Sequence, residues 1–119
     1  PMLSAYGVER LVSSTSVRCL STLQPYAEAA GRKVTTYPGL TEEEGVDDAD
    51  GVAKIVRRLR SSTVKLGRPT AICVHRPVLP HILDALEMAP ATLVTGEFLV
   101  AHLTGDGSVH AVERHRPQA

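Results

Sequence analysis

The chain has 119 residues, 43% hydrophobic but only 3% aromatic, which suits one domain with an aliphatic core of Val, Leu, Ile and Ala. Thirteen Lys and Arg balance thirteen Asp and Glu, and a net charge of zero gives no general attraction to duplex nucleic acid or anionic membranes, so anion recognition must be local. The two cysteines, Cys19 and Cys73, form no CxxC pattern and sit in apolar stretches. With no signal peptide visible and no apolar run longer than a strand, they read as reduced core residues of a cytoplasmic protein.

Residues 1–7 read as the last turns of a helix with Gly7 as its C-cap, the remainder of something longer. Residues 10–14 are predicted as a strand that turns directly into a helix over 17–30. That helix has apolar residues at Val17, Leu20, Leu23, Tyr26, Ala27 and Ala30. Pro25 is expected to kink it or to mark its solvent face, and Gly31 to cap it. Residues 33–37 form a β-branched strand ended by Pro38 and Gly39. Residues 41–50 are acidic and loop-like. Val52, Ile55, Val56 and Leu59 mark an amphipathic helix with a basic face of Lys54, Arg57, Arg58 and Arg60; it runs towards Leu66 and stops at Gly67. The most hydrophobic strand, residues 70–75, is predicted to be buried on both faces and to end on His75. Pro77 then starts a helix over 78–88. Residues 96–103 and 108–113 read as a β-hairpin around an Asp106-Gly107 turn, followed by a polar tail. The order β-α-β-α-β-α-β-β argues for a layered α/β domain, and no internal repeat is seen.

Two strand ends carry the chemistry. The first strand delivers Ser14 and, in the opening turns of the next helix, Arg18; the strand over 70–75 delivers His75. Ligand sites in open α/β sheets lie outside the carboxyl ends of strands, and helix N-termini there favour anions. An arginine and a histidine brought to one edge suggest a phosphate pocket, with the Arg18 fork able to hold phosphate oxygens in bidentate fashion. The alternatives are a surface arginine and a histidine satisfied within the core.

Ser14, Arg18 and Thr22 form a Ser-x-x-x-Arg-x-x-x-Thr pattern after a short apolar strand, and His75 ends another. Together these resemble the histidine phosphatase (phosphoglycerate mutase-like) superfamily. Residues 11–22, 37–43 and 75–79 are most similar to the C-terminal phosphatase domain of actinobacterial two-domain MutT (Nudix-type) hydrolases. That resemblance implies a mostly parallel, Rossmann-like sheet flanked by helices, with residues 1–119 a single partial domain. It implies Arg18 as a phosphate clamp and His75 as the group that stabilises the transferring phosphoryl. It also implies a loop carboxylate, Glu42 or Glu43, as proton donor to the leaving oxygen, although a solvated acidic loop explains these residues equally. Arg76 stands where the family usually has a small residue, as a further phosphate contact or an exposed charge.

The family's nucleophile is a histidine in an Arg-His-Gly motif, which this chain does not contain. The strand bearing it would lie between strands 70–75 and 96–103, so the family's first central strand is lacking. A bound upstream segment, a second copy, or direct pairing of the flanking strands would fill the gap. The implied function is hydrolysis of a small phosphate ester or nucleotide phosphate, such as an oxidised guanine nucleotide, through a phosphohistidine intermediate in the complete domain. The fragment alone is expected to be inactive. The competing expectation is a non-catalytic phosphate-binding or protein-interaction module. No cofactor or metal is implied: no Walker motif, dinucleotide loop or Nudix box is present, and His81, His102, His110 and His115 lack metal-ligand spacing.

Overall fold

A computed structural model describes residues 3, 6–94 and 97–115. Strand β1 (Arg10–Ser13) lies at the centre of a three-stranded parallel sheet, with β2 (Val34–Thr36) on one side and β3 (Thr70–Cys73) on the other. The period-2 alternation of side chains sends Leu11, Ala71 and Cys73 to one face and Val12, Ile72 and Val74 to the other. Helix α1 (Val17–Ala30) covers the first face through Leu23 and Ala27. The second face receives Val52, Val56 and Leu59 of helix α3 (Ala49–Leu66), and Ile82 and Ala85 of helix α4 (Leu79–Ala85). Three layers result, helix on sheet on helix, as the element order predicts.

Local sequence sets the helix ends. Ser16 caps α1, its hydroxyl accepting from the Cys19 amide at 3.3 Å, and α1 ends at the Gly31 cap. Pro25 lies on its exposed face. Asp48 caps α3 through the Gly51 amide, and Gly67 ends it.

Four expectations are corrected. The acidic stretch after residue 41 is not all loop: Thr41 caps a one-turn helix, α2 (Glu42–Gly45), which follows a 3₁₀ turn at Pro38–Leu40. Strand β3 stops at Cys73, two residues before His75, because β1 leaves the ladder at Ser14 to enter α1. Its residues are only partly buried, since β3 is an edge of the sheet. Helix α4 starts at Leu79 with Pro80 in its first turn, while the His75 carbonyl accepts from the Val78 and Leu79 amides and holds Pro77 in a preceding turn.

Strands β4 (Phe98–Leu103) and β5 (Val109–His115) form a separate antiparallel hairpin with a register shift between His102 and Leu103. So β3 and β4 do not pair with each other, and direct closure of the gap between them is not what the structure has. A bidentate pair of Arg114 with buried Glu97 braces the base of the hairpin, and the Tyr6 hydroxyl donates to Glu113 at 3.0 Å. Residues 1, 2, 4 and 5 of the expected N-terminal helix end, Gly96 and the tail beyond residue 115 lie outside the described residues. No helix among the described residues is long and apolar enough to cross a membrane.

Leu40 is fully buried at the junction of the 3₁₀ turn with the core of α3 and α4. Leu40→Ala is expected to cost about 2–5 kcal/mol, the transfer loss plus the cavity. Chemical denaturation of the variant checks this; a loss below about 1 kcal/mol would mean that the site collapses around the smaller side chain.

Candidate functional site

The C-terminal edge of the parallel sheet brings Ser14, Cys19, Glu42 and His75 together. Ser14 is the first residue after β1 and is fully buried. Its amide donates to the Cys73 carbonyl at 3.3 Å, which extends the ladder by one step and places the hydroxyl beside the loop after β3. Ser14 Oγ lies 3.1 Å from His75 Nε2 and also accepts from the Ser16 amide at 3.3 Å. The hydroxyl either donates to Nε2 or accepts from it, according to the imidazole tautomer. Glu42 Oε1 is 3.6 Å from Nδ1, so a carboxylate faces the ring's other nitrogen. The His75 side chain is 13% exposed and that of Glu42 55%, so the histidine is a recessed group with an open acid at its mouth.

Glu42 reaches this place by tertiary contacts. Thr41 Oγ1 donates to the Pro38 carbonyl at 2.7 Å and accepts from the Glu44 amide. Gly45 lets the turn close: a Cβ there would sit 2.8 Å from the Gly39 carbonyl and 3.2 Å from Val78. His81 Nε2 holds the Val46 carbonyl at 2.8 Å and ties α2 to α4, the helix that follows His75. Sequence reasoning found Glu42 but missed Gly45 and His81, whose roles exist only once α4 packs beside α2.

Arg18 occupies the first turn of α1, one residue before Cys19, whose Sγ is 3.9 Å from His75 Nε2. Its side chain is exposed and makes no hydrogen bond or ion pair with a described residue. The Val17 and Arg18 amides likewise have no partner among the described residues. The helix start beside the recessed histidine therefore presents two N–H donors and the positive end of the α1 dipole, with the exposed Arg18 side chain on the same turn, a set that suits an oxyanion. Arg76 and Glu43 are exposed. Thr22 lies on the exposed side of α1 and donates back to the Arg18 carbonyl at 3.0 Å, outside the cluster.

Ser14, His75 and Glu42 stand in the order of a hydrolase triad, but burial decides against that chemistry. A fully buried Ser14 hydroxyl admits no carbonyl carbon to its lone pair, whereas a triad serine must meet its substrate. Ser14 instead orients the ring. Nor is Cys73 a nucleophile. Burial, and then the neighbouring Cys19 thiol, push Cys73 up to about 12 from its ordinary 9.0. Iodoacetamide at pH 8 is therefore expected to spare Cys73 in the folded protein and to label it on unfolding, as read by mass spectrometry. Equal rates in the two states would contradict its burial. The sign of the linkage follows: the unfolded thiol ionises first, so its contribution to stability is present below about pH 9 and is lost as pH rises towards about 12.

No protein-family model matches the chain, and no curated protein matches it either. Among the described residues no three His, Cys, Asp or Glu side chains are grouped as metal ligands.

Proposed function

We propose that this chain supplies the phosphate-binding side of a histidine-phosphatase-type site and acts on a small phosphorylated molecule, with a nucleotide as the favoured class. The observation that carries this reading is His75, recessed between Ser14 and Glu42 and set beside a helix start with two unpartnered amides and a free arginine. In this reading the amides of Val17 and Arg18 and the Arg18 guanidinium hold the phosphoryl oxygens. His75 stabilises the charge that develops on the transferring group. Its Nε2 is engaged by Ser14, which does not suit a nucleophilic role, so the stabilising proton is the one on Nδ1, the nitrogen that faces the open mouth at Glu42. Glu42, open to solvent, protonates the leaving oxygen. The phosphorylated nucleophile comes from a strand bearing Arg-His-Gly that completes the domain, in line with the resemblance of residues 11–22 and 75–79. Arg76 is a rim residue in this scheme.

Titration of the chain with inorganic phosphate and with orthovanadate, followed by NMR of the His75 ring and the Val17 and Arg18 amides, tests the reading. Saturable shifts at these groups are expected, with affinity falling at least tenfold in His75→Ala and in Arg18→Ala. Shifts that are absent, or that survive both substitutions, would remove the site. A second reading, binding without turnover, is favoured by the same engagement of His75 Nε2. It is distinguished by phosphatase assays on the longest natural form of the chain: saturable binding with no release of phosphate from p-nitrophenyl phosphate or nucleotides would establish it.

A further inference from the structure

A second anion-binding feature lies at the other end of the sheet. Arg57, Arg60, Ser61, Val64 and Lys65 fall on one stripe of α3, at spacings of three, four, seven and eight residues. Across from them stands the β4–β5 turn, with Gly105, Asp106 and Gly107. The groove between has a volume of about 480 Å³, within the range of about 300–1,000 Å³ usual for small-molecule sites. This half of α3 sits beside the N-terminal ends of the strands: Arg10, which opens β1, donates to Ser62 Oγ at 2.6 Å, and Thr63 hydrogen-bonds Thr70, which opens β3. It therefore lies at the opposite sheet edge from His75.

The charges in the groove are unbalanced. Arg57, Arg60 and Lys65 make no ion pair or hydrogen bond with a described residue. The single carboxylate in the lining, Asp106, is spent on its own turn, accepting from the Thr104 hydroxyl and, at 2.9 Å, from the Ser108 amide. The helix dipole accounts for a cation in the last turn of α3, which is Lys65, but not for Arg57 more than two turns away. The closure of the turn against the helix is also specific. Gly107 is buried with φ 86°, and a Cβ there would meet Arg60 Cδ and Nε at 3.6 Å. Those are ordinary van der Waals distances, so it is the left-handed backbone that favours glycine here, and the half-buried Arg60 packs along the turn.

We infer that this groove binds a small phosphorylated anion bearing at least two phosphate groups, at a site separate from the one around His75. Three cations against one internally satisfied carboxylate leave a local charge near that of a diphosphate, and arginine forks suit its oxygens. The proposal does not depend on the reading of the His75 edge.

Pyrophosphate titration of the whole chain, mapped by amide chemical shifts, tests it. Saturable shifts are expected at Gly105, Asp106 and Gly107 and along residues 57–65. Arg57→Gln with Lys65→Gln removes two exposed groove charges and is expected to weaken these shifts at least tenfold in affinity. Lys54→Gln with Arg58→Gln removes the same charge from exposed positions of α3 outside the groove and is expected to change affinity less than twofold. Circular dichroism of both variants confirms that each is folded. Equal weakening by the two pairs would reduce the effect to general charge attraction and overturn the site. Wild-type shifts confined to residues 15–19 and 75, or none at all, would overturn it as well.

Discussion

If the proposed phosphatase reading holds, Arg18→Ala in the complete domain is expected to lower turnover by about 10²–10³-fold, the usual loss when one donor to a developing oxyanion is removed. The thermal midpoint should hardly move. The side chain is exposed and makes no hydrogen bond or ion pair with a described residue, so its removal opens no cavity and strands no partner. Phosphoryl transfer depends on positioning and on charge stabilisation, so under the proposed function a residue with so little structural role is expected to have a large kinetic one. Arg18→Lys keeps the charge but loses the fork, so partial recovery is expected. Steady-state kinetics with denaturation curves on the same preparations checks both halves. Near-normal turnover in Arg18→Ala would take Arg18 out of the site; a large fall in stability would mean that its effect is structural.

The elements legible in the sequence are those whose causes are local. Helix α1 follows from the Ser16 cap, the apolar spacing through Leu23 and Ala27, and Gly31. Helix α3 follows in the same way from Asp48, the stripe of Val52, Val56 and Leu59, and Gly67. The hairpin follows from its Gly-Asp-Gly turn. What the sequence hides has tertiary causes. Helix α2 has one turn and little propensity of its own; it exists because Gly45 fits under the Gly39 carbonyl and His81 grips the Val46 carbonyl. Helix α4 starts at Leu79, two residues past Pro77, because the turn held by the His75 carbonyl takes up Pro77. Arg18, His75 and Glu42 were each visible as strand-end or helix-start residues. Delivery of Arg18 and His75 to one sheet edge was legible too; the contacts of His75 with Ser14 and Glu42 were not, because the Ser14–His75 bond spans 61 positions and depends on the parallel pairing of β1 with β3. The groove beside Gly107 was legible only as a solvated basic face.

The chain is expected to associate through the outer edge of β3. Every sheet edge presents unpaired N–H and C=O groups, and natural edges are blunted by shortness, charge or proline. The other edge of this sheet obeys that rule: β2 has three residues, follows Arg32 and Lys33, and exposes Thr35 and Thr36. Strand β3 does not. It reads Thr70, Ala71, Ile72 and Cys73, continues to Val74, and carries no charge between Arg68 and His75. Ile72 and Val74 already pack on the core of α3 and α4, so the strand cannot turn away to hide its edge. Among the described residues strand β4 pairs only with β5, which leaves a second, longer apolar edge in Phe98–Leu103. Two such edges in one small domain favour pairing with another strand, from a preceding segment of the polypeptide or from a second copy. Size-exclusion chromatography with light scattering across a range of concentrations is expected to give a mass above one chain, or one chain carrying a bound peptide. Hydrogen exchange then locates the contact: the amides of Ala71, Ile72 and Cys73 should gain protection as the protein is concentrated. A single species of one chain mass at all concentrations, with cooperative unfolding and fast exchange along β3, would show that this edge is stable bare. The need for a completing strand would then fall, and with it the topology implied by the family resemblance.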